Sequence, residues 1–189
     1  MPVRIPHLPL PVMRRATRRP PLPAAAAADL EIGAERVLAW SPLHGDGVAA
    51  ATVDGLRVRT PQGRLVRRPW IDVDHAAWDE DSGTLAVWWV GSRAPTPLEV
   101  GESSFLPEVV HERVRSSIVL TREVPLGGGR SLWVTLRKRP DGSLVTQSVP
   151  PKGVRPGDPE IAALARRIEG ELLEEAGGDR VAEPGPPQG

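Results

Sequence analysis

The sequence predicts a mainly β domain, an antiparallel barrel or sandwich of roughly 7–8 strands capped by one C-terminal amphipathic α-helix. Three observations carry this. Turn signals recur about every 10–20 residues through the middle of the chain, the runs between them alternate apolar with polar, and one segment near the C-terminus sustains a clear helical period.

The chain has 189 residues, 40% apolar and 25% charged, which fits one domain with tails. Residues 1–34 are dense in proline and arginine and show no sustained period, so they are expected to form a disordered, extended tail. Met13 serves equally as a start of translation, which would leave residues 1–12 outside the natural chain. The run Ala24 to Ala28 is too short for a signal peptide's apolar core. It is also far short of the roughly 20 residues that cross a bilayer. No cysteine occurs, which excludes disulfides, thiolate metal sites and a cysteine nucleophile and fits a reducing cytoplasm.

The domain is expected over 35–176. Asp54-Gly55 separates "VAAAT" from "LRVRT", a strong hairpin signal. "TPQGR" at 60–64, "DEDSG" at 79–83, "LGGGR" at 126–130 and "RPDGS" at 139–143 each divide two β-rich runs, and most are too short to hold a crossover helix. In "RSLWVTLRK" Leu132, Val134 and Leu136 face one way and Ser131, Trp133, Thr135 and Arg137 the other. In the run from Arg115, Ile118, Leu120 and Val124 share a face with Arg122, so an end of that strand is expected in solvent.

Two segments depart from the β pattern. Val109, Val110 and Val114 lie at helical offsets after Pro107, predicting a short helix or turn over 105–115. The segment 157–178 is the clearest element, with Asp158 as N-cap, Pro159 at the first helical position and Gly177 after the end. Its stripe of Ile161, Leu164, Ala165, Ile168 and Leu172 must cover something apolar, most economically an open end or face of the sheet system. Residues 177–189 read as a second disordered tail.

Strands "TVDGLRVRT", "RRPWIDVDHAAWD" and "GTLAVWWV" followed by the helix from Asp158 resemble the compact bacterial versions of the pleckstrin-homology-like superfold over about 35–176. The chain also resembles an actinobacterial family that has this "RPW…W" pattern. Both likenesses rest on texture and element order and imply a fold without an activity. The segment 91–115 departs from the resemblance and reads as an insertion between two strands.

Four of the six tryptophans flank the acidic turn at 79–83. A two-residue period places Ile71, Val73, His75 and Ala77 on the core face and Trp70, Asp72, Asp74, Ala76 and Trp78 on the other. In one reading Trp89 packs inward while Trp78 and Trp88 pair across the hairpin. In the other, Trp70, Trp78 and Trp88 form an exposed aromatic patch beside Arg67 and Arg68 that binds a partner or ligand.

Other chemistry finds little footing. Asp74 and His75 are adjacent and point to opposite faces of a strand, so a shared metal with Asp72 is geometrically poor, and no metal or cofactor is expected. "HERVR" lacks the second histidine of a zinc-protease motif, the glycine run lacks the GK[ST] of a phosphate loop, and no G-x-S-x-G elbow occurs. Arg57 and Arg59 share a strand face, as on a phosphate-binding lip, although solvated arginines present the same pattern.

Net charge is zero and the middle of the chain is balanced, so no specific nucleic-acid partner is expected. The tail arginines Arg4, Arg14, Arg15, Arg18 and Arg19 allow weak contact with an anionic membrane. The expectation is a cytoplasmic, non-catalytic interaction domain that binds a protein partner through the tryptophan hairpin or the 91–115 segment. The alternatives are a barrel that binds an anionic lipid or small ligand and, third, an enzyme using His75, His111 or Asp/Glu groups, which lacks an arranged nucleophile and base.

Overall fold

A computed structural model describes residues 21–100, 104–150, 153–154 and 158–177. Its described part holds ten antiparallel strands in three sheets rather than the expected seven or eight in one system. Strands β1 (Val37–Pro42), β2 (Val48–Thr52), β3 (Gly55–Arg59) and β4 (Leu65–Pro69) form the first sheet in sequential order. Strands β5 (Val73–Asp79), β6 (Thr84–Trp89) and β7 (Thr96–Glu99) form the second, and β8 (Ile118–Gly127), β9 (Arg130–Lys138) and β10 (Leu144–Val149) the third.

Turn chemistry places the hairpins where the sequence predicts them. At the β2–β3 turn the Thr52 hydroxyl oxygen accepts from the amides of Asp54 and Gly55 at 3.2 and 3.1 Å. Gly55 is required there for a second reason: a Cβ on it would collide with the Arg68 carbonyl of β4. The first two sheets meet through the Leu43–Val100 bridge and a bond of 3.0 Å from the His44 amide to the Glu99 carbonyl. The three sheets do not close into one barrel.

Helix α2 (Leu106–Ser117) confirms the helical reading of 105–115, within the segment read as an insertion. Its Leu106, Val109, Val110 and Val114 are buried in one cluster with Ala49 and Ala51 of β2, Leu56 and Val58 of β3, Val73 of β5, Leu85 and Val87 of β6 and Leu98 of β7. Helix α2 thus lies in the main core, and burial of its apolar stripe ties β1–β7 together.

Helix α3 (Pro159–Glu175) forms as predicted, with the Asp158 carboxylate accepting from the amides of Glu160 and Ile161 and Gly177 at φ +83° past its end. It covers only the third sheet: Ala165, Ile168 and Leu172 pack on Leu132, Val134 and Leu136 of β9. Leu120 and Val124 face this cluster, and Arg122 on the same face bonds to Glu171 and Glu175 of α3 at 2.9 and 2.6 Å. Ile118, displaced by a register shift before Leu120, emerges into solvent.

The expected tail over 1–34 needs correction in its described part. Ala24–Asp29 forms a short helix, α1, and Leu30 behind it is fully buried against Val48 and Ala50 on the outer face of the first sheet. Glu31 pairs with Arg67, and Glu35 accepts from Arg57 Nε at 2.7 Å. This explains why all of β2 is buried: α2 covers one face and the 24–35 segment the other. The tail arginines Arg4 to Arg19 and the C-terminal residues 178–189 lie outside the described residues.

Candidate functional site

The backbone over 70–75 decides the fate of the predicted tryptophan patch. Trp70–Asp72 form a 3-10 turn rather than the start of a strand, which swings Trp70 inward. It is 3% exposed, and its indole N–H is shared by the carbonyls of Thr52 and Val53 at 3.1 Å each. Trp70 therefore buttresses the β2–β3 turn and is removed from the exposed patch.

A register shift between Val73 and His75 then breaks the two-residue alternation. Val73 is fully buried while His75 is exposed, so the expected core face of Ile71, Val73 and His75 ends at Val73. The same irregularity brings Asp74 and His75 together, with His75 Nδ1 2.8 Å from Asp74 Oδ2, where opposite faces were expected. His75 lies opposite Trp88 in the ladder, and their rings stack at 4.4 Å with planes 13° apart.

Trp78 lies opposite Leu85, so Trp78 and Trp88 are not the cross-strand pair anticipated. Trp78 is half-buried against the main core, as is Trp89, whose indole N–H donates to Thr96 Oγ1 at 2.8 Å. Arg67 and Arg68 are exposed, but each has an acidic partner, Glu31 and Asp72 respectively, the latter at 3.5 Å. Of the five predicted residues, the structure leaves Trp88 on a small His75–Trp88 platform and disperses the rest. Arg57 is engaged by Glu35, which weakens its reading as a phosphate ligand.

Asp74 is held below the usual carboxylate range, chiefly by its hydrogen bond with His75; burial opposes this, and the charges of His75 and Arg137 assist. The pair resembles the orienting half of a catalytic dyad, yet among the described residues no hydroxyl hydrogen-bonds the imidazole. No group of three His, Asp or Glu side chains among them is arranged to hold a metal.

Beneath this platform sits Arg137 of β9, 2% exposed. It donates to the carbonyls of Val73 and Asp74 at 2.8 and 3.2 Å and to Ser117 Oγ at 3.1 Å. Burial pulls its pKa down, and the nearby Asp74 and Asp72 charges act the other way. Gln147 of β10 adds a bond of 2.6 Å to the Ile71 carbonyl. One end of the outer face of β8–β9–β10 is thereby clamped onto the 71–74 segment.

The other end of that face is uncovered. Trp133 and Val149 are directly opposed across β9 and β10 and are 37% and 38% exposed, with Glu123 on the far side of Trp133. Ile118 and Val119 are exposed too, but at the start of β8, beside Arg137 at the clamped end. Alternation had set Trp133 opposite the buried face of β9. What pattern reading missed is that only half of the outer face is covered. Among the described residues no helix is long and apolar enough to cross a membrane.

Comparison with protein-family models, with curated proteins and with solved structures returns no match for this chain.

Proposed function

We propose that the chain is a small, non-catalytic interaction domain of the cytoplasm that binds a protein partner on the outer face of β8–β9–β10. The Trp133–Val149 pair supports this reading most directly. Large apolar side chains opposed across two strands, at the open end of a face otherwise clamped in place, have the composition of an interface core. The His75–Trp88 platform is a smaller second contact of the same character. A barrel binding an anionic ligand has less support, because Arg57 and Arg67 already face Glu35 and Glu31.

The order of a four-stranded sheet, a three-stranded sheet and a helix packed across their interior supports a pleckstrin-homology-like arrangement. In that arrangement α2 takes the capping position first assigned to α3, and β8–β10 with α3 become an addition that carries the binding face. The test is affinity capture from the native organism with wild type, Trp133→Ser and Trp88→Ala. Loss of a specific partner in Trp133→Ser alone is expected. Capture that survives Trp133→Ser unchanged sinks the assignment of this face.

A further inference from the structure

We infer that β10 is a docking edge for an extended segment of the partner protein, which adds beside it as a further strand; this rests on the reading of β8–β9–β10 as the binding face. At the β9–β10 turn the Arg139 amide donates to the Ser143 carbonyl at 2.8 Å, so these two form a hydrogen-bonded pair. The register from there to Trp133–Val149 is unbroken. In an antiparallel ladder such pairs alternate with non-bonded ones, so Val145, Gln147 and Val149 spend their main-chain groups on β9. Leu144, Thr146 and Ser148 direct theirs outward, and these meet no partner among the described residues.

The other sheet edges carry the devices that discourage strand addition. The edge of β8 has two register shifts, Pro125 and the charges of Arg122 and Glu123. That of β4 has Arg67, Arg68 and Pro69. β5 has a register shift, and the Val73 and Asp74 carbonyls are already taken by Arg137. β1 has a shift and ends in Pro42, and β7 carries Pro97. β10, "LVTQSV", has no charge, no proline and no shift.

The occupant follows from what flanks this edge. A second copy pairing about a two-fold axis at Thr146 would set Leu144 against Ser148 and Val149 against the turn residue Ser143, leaving Trp133 and Val149 open. A partner strand that runs past Val149 with an apolar side chain on the outer face covers both. Lys138 lies opposite Leu144 on β9, is exposed and has no carboxylate partner among the described residues. It suits an acidic side chain at that end of the incoming segment.

The probe is a displayed library of random linear peptides selected on the full chain. Proline at 146 removes an outward N–H and no ladder bond, so Thr146→Pro is expected to fold as wild type and to weaken the selected peptide by on the order of tenfold or more. In wild type, peptide binding is expected to slow amide exchange at Leu144, Thr146 and Ser148, a readout that stands even if Thr146→Pro fails to fold. Peptides that lose binding in Trp133→Ser but leave those amides unprotected overturn the edge while keeping the face. Binding indifferent to Trp133→Ser overturns the face itself. Self-association of the protein alone that Thr146→Pro abolishes overturns the proposal in favour of a second copy.

Discussion

The guanidinium of Arg137 donates to the Val73 carbonyl at 2.8 Å, joining the middle strand of the third sheet to the first residue of β5. Between them Arg137 and Gln147 satisfy the carbonyls of Ile71, Val73 and Asp74, which would otherwise be left without partners where the two sheets meet. The junction is polar and directional, whereas the cores on either side of it are apolar. This fixes how the third sheet sits against the tryptophan hairpin, and so which half of its outer face stays open.

Arg137→Met keeps most of the side-chain volume but strands two main-chain carbonyls and removes the bond accepted by Ser117 Oγ, whose hydroxyl still donates to Val114. We expect a loss of about 2–4 kcal/mol in urea unfolding. Arg137→Lys retains the charge but cannot fork to two carbonyls, so it should recover only part of that loss. A Met variant within about 0.5 kcal/mol of wild type would show that the junction is not what orders the two sheets.

Trp70 and Trp88 should respond in opposite senses to what the aromatic-patch reading requires. Trp70→Phe removes the indole N–H shared by the Thr52 and Val53 carbonyls and is expected to cost about 1–3 kcal/mol. Trp88→Ala loses a half-buried ring stacked on an exposed histidine, and about 1 kcal/mol or less is expected. Equilibrium unfolding of both variants checks the order, and a larger effect at Trp88 would contradict the burial of Trp70.

Much of the fold was legible because turn and cap chemistry is local. Asp54-Gly55, the glycine run at 127–129 and the Asp158-Pro159 start each act through a few neighbouring residues. The role of α2 was hidden because Leu106, Val109 and Val110 acquire meaning only when seven strands close around them. The site failed for a sharper reason. A 3-10 turn at Trp70 and a one-residue shift at Val73–His75 each change the parity of every side chain that follows, and alternation cannot see either. Trp133 was placed on the correct face, but which half of that face is covered is settled by Arg137 and Gln147, residues distant in sequence from their acceptors.

The 24–35 segment is part of the fold. Leu30→Ala should destabilise by about 2–4 kcal/mol, since Leu30 is fully buried against Val48 and Ala50. A variant beginning at Ala34 should lose more, because it also removes Glu31, the acidic partner of Arg67, and opens the outer face of β2. A variant beginning at Pro21 keeps the whole segment and is the reference against which that loss is read. Equal melting temperatures for the Ala34 and Pro21 variants would remove the segment from the core.

Asp74 contributes to the acid behaviour of the hairpin. Its folded-state pKa lies below the ordinary value, first through the hydrogen bond with His75. A depressed carboxylate contributes stability that is fully present above its unfolded pKa, about 3.9, and is lost as pH falls through the folded value. Asp74→Asn should therefore be less stable than wild type near neutrality, with the difference closing below about pH 4. His75→Ala removes the main cause of the depression, so part of the same deficit should appear with the carboxylate intact. Urea midpoints measured from neutral to acid pH decide this: a wild-type-to-Asp74→Asn difference that stays constant into acid would mean that the carboxylate's ionisation contributes nothing and that the Asp74–His75 contact is incidental to the fold.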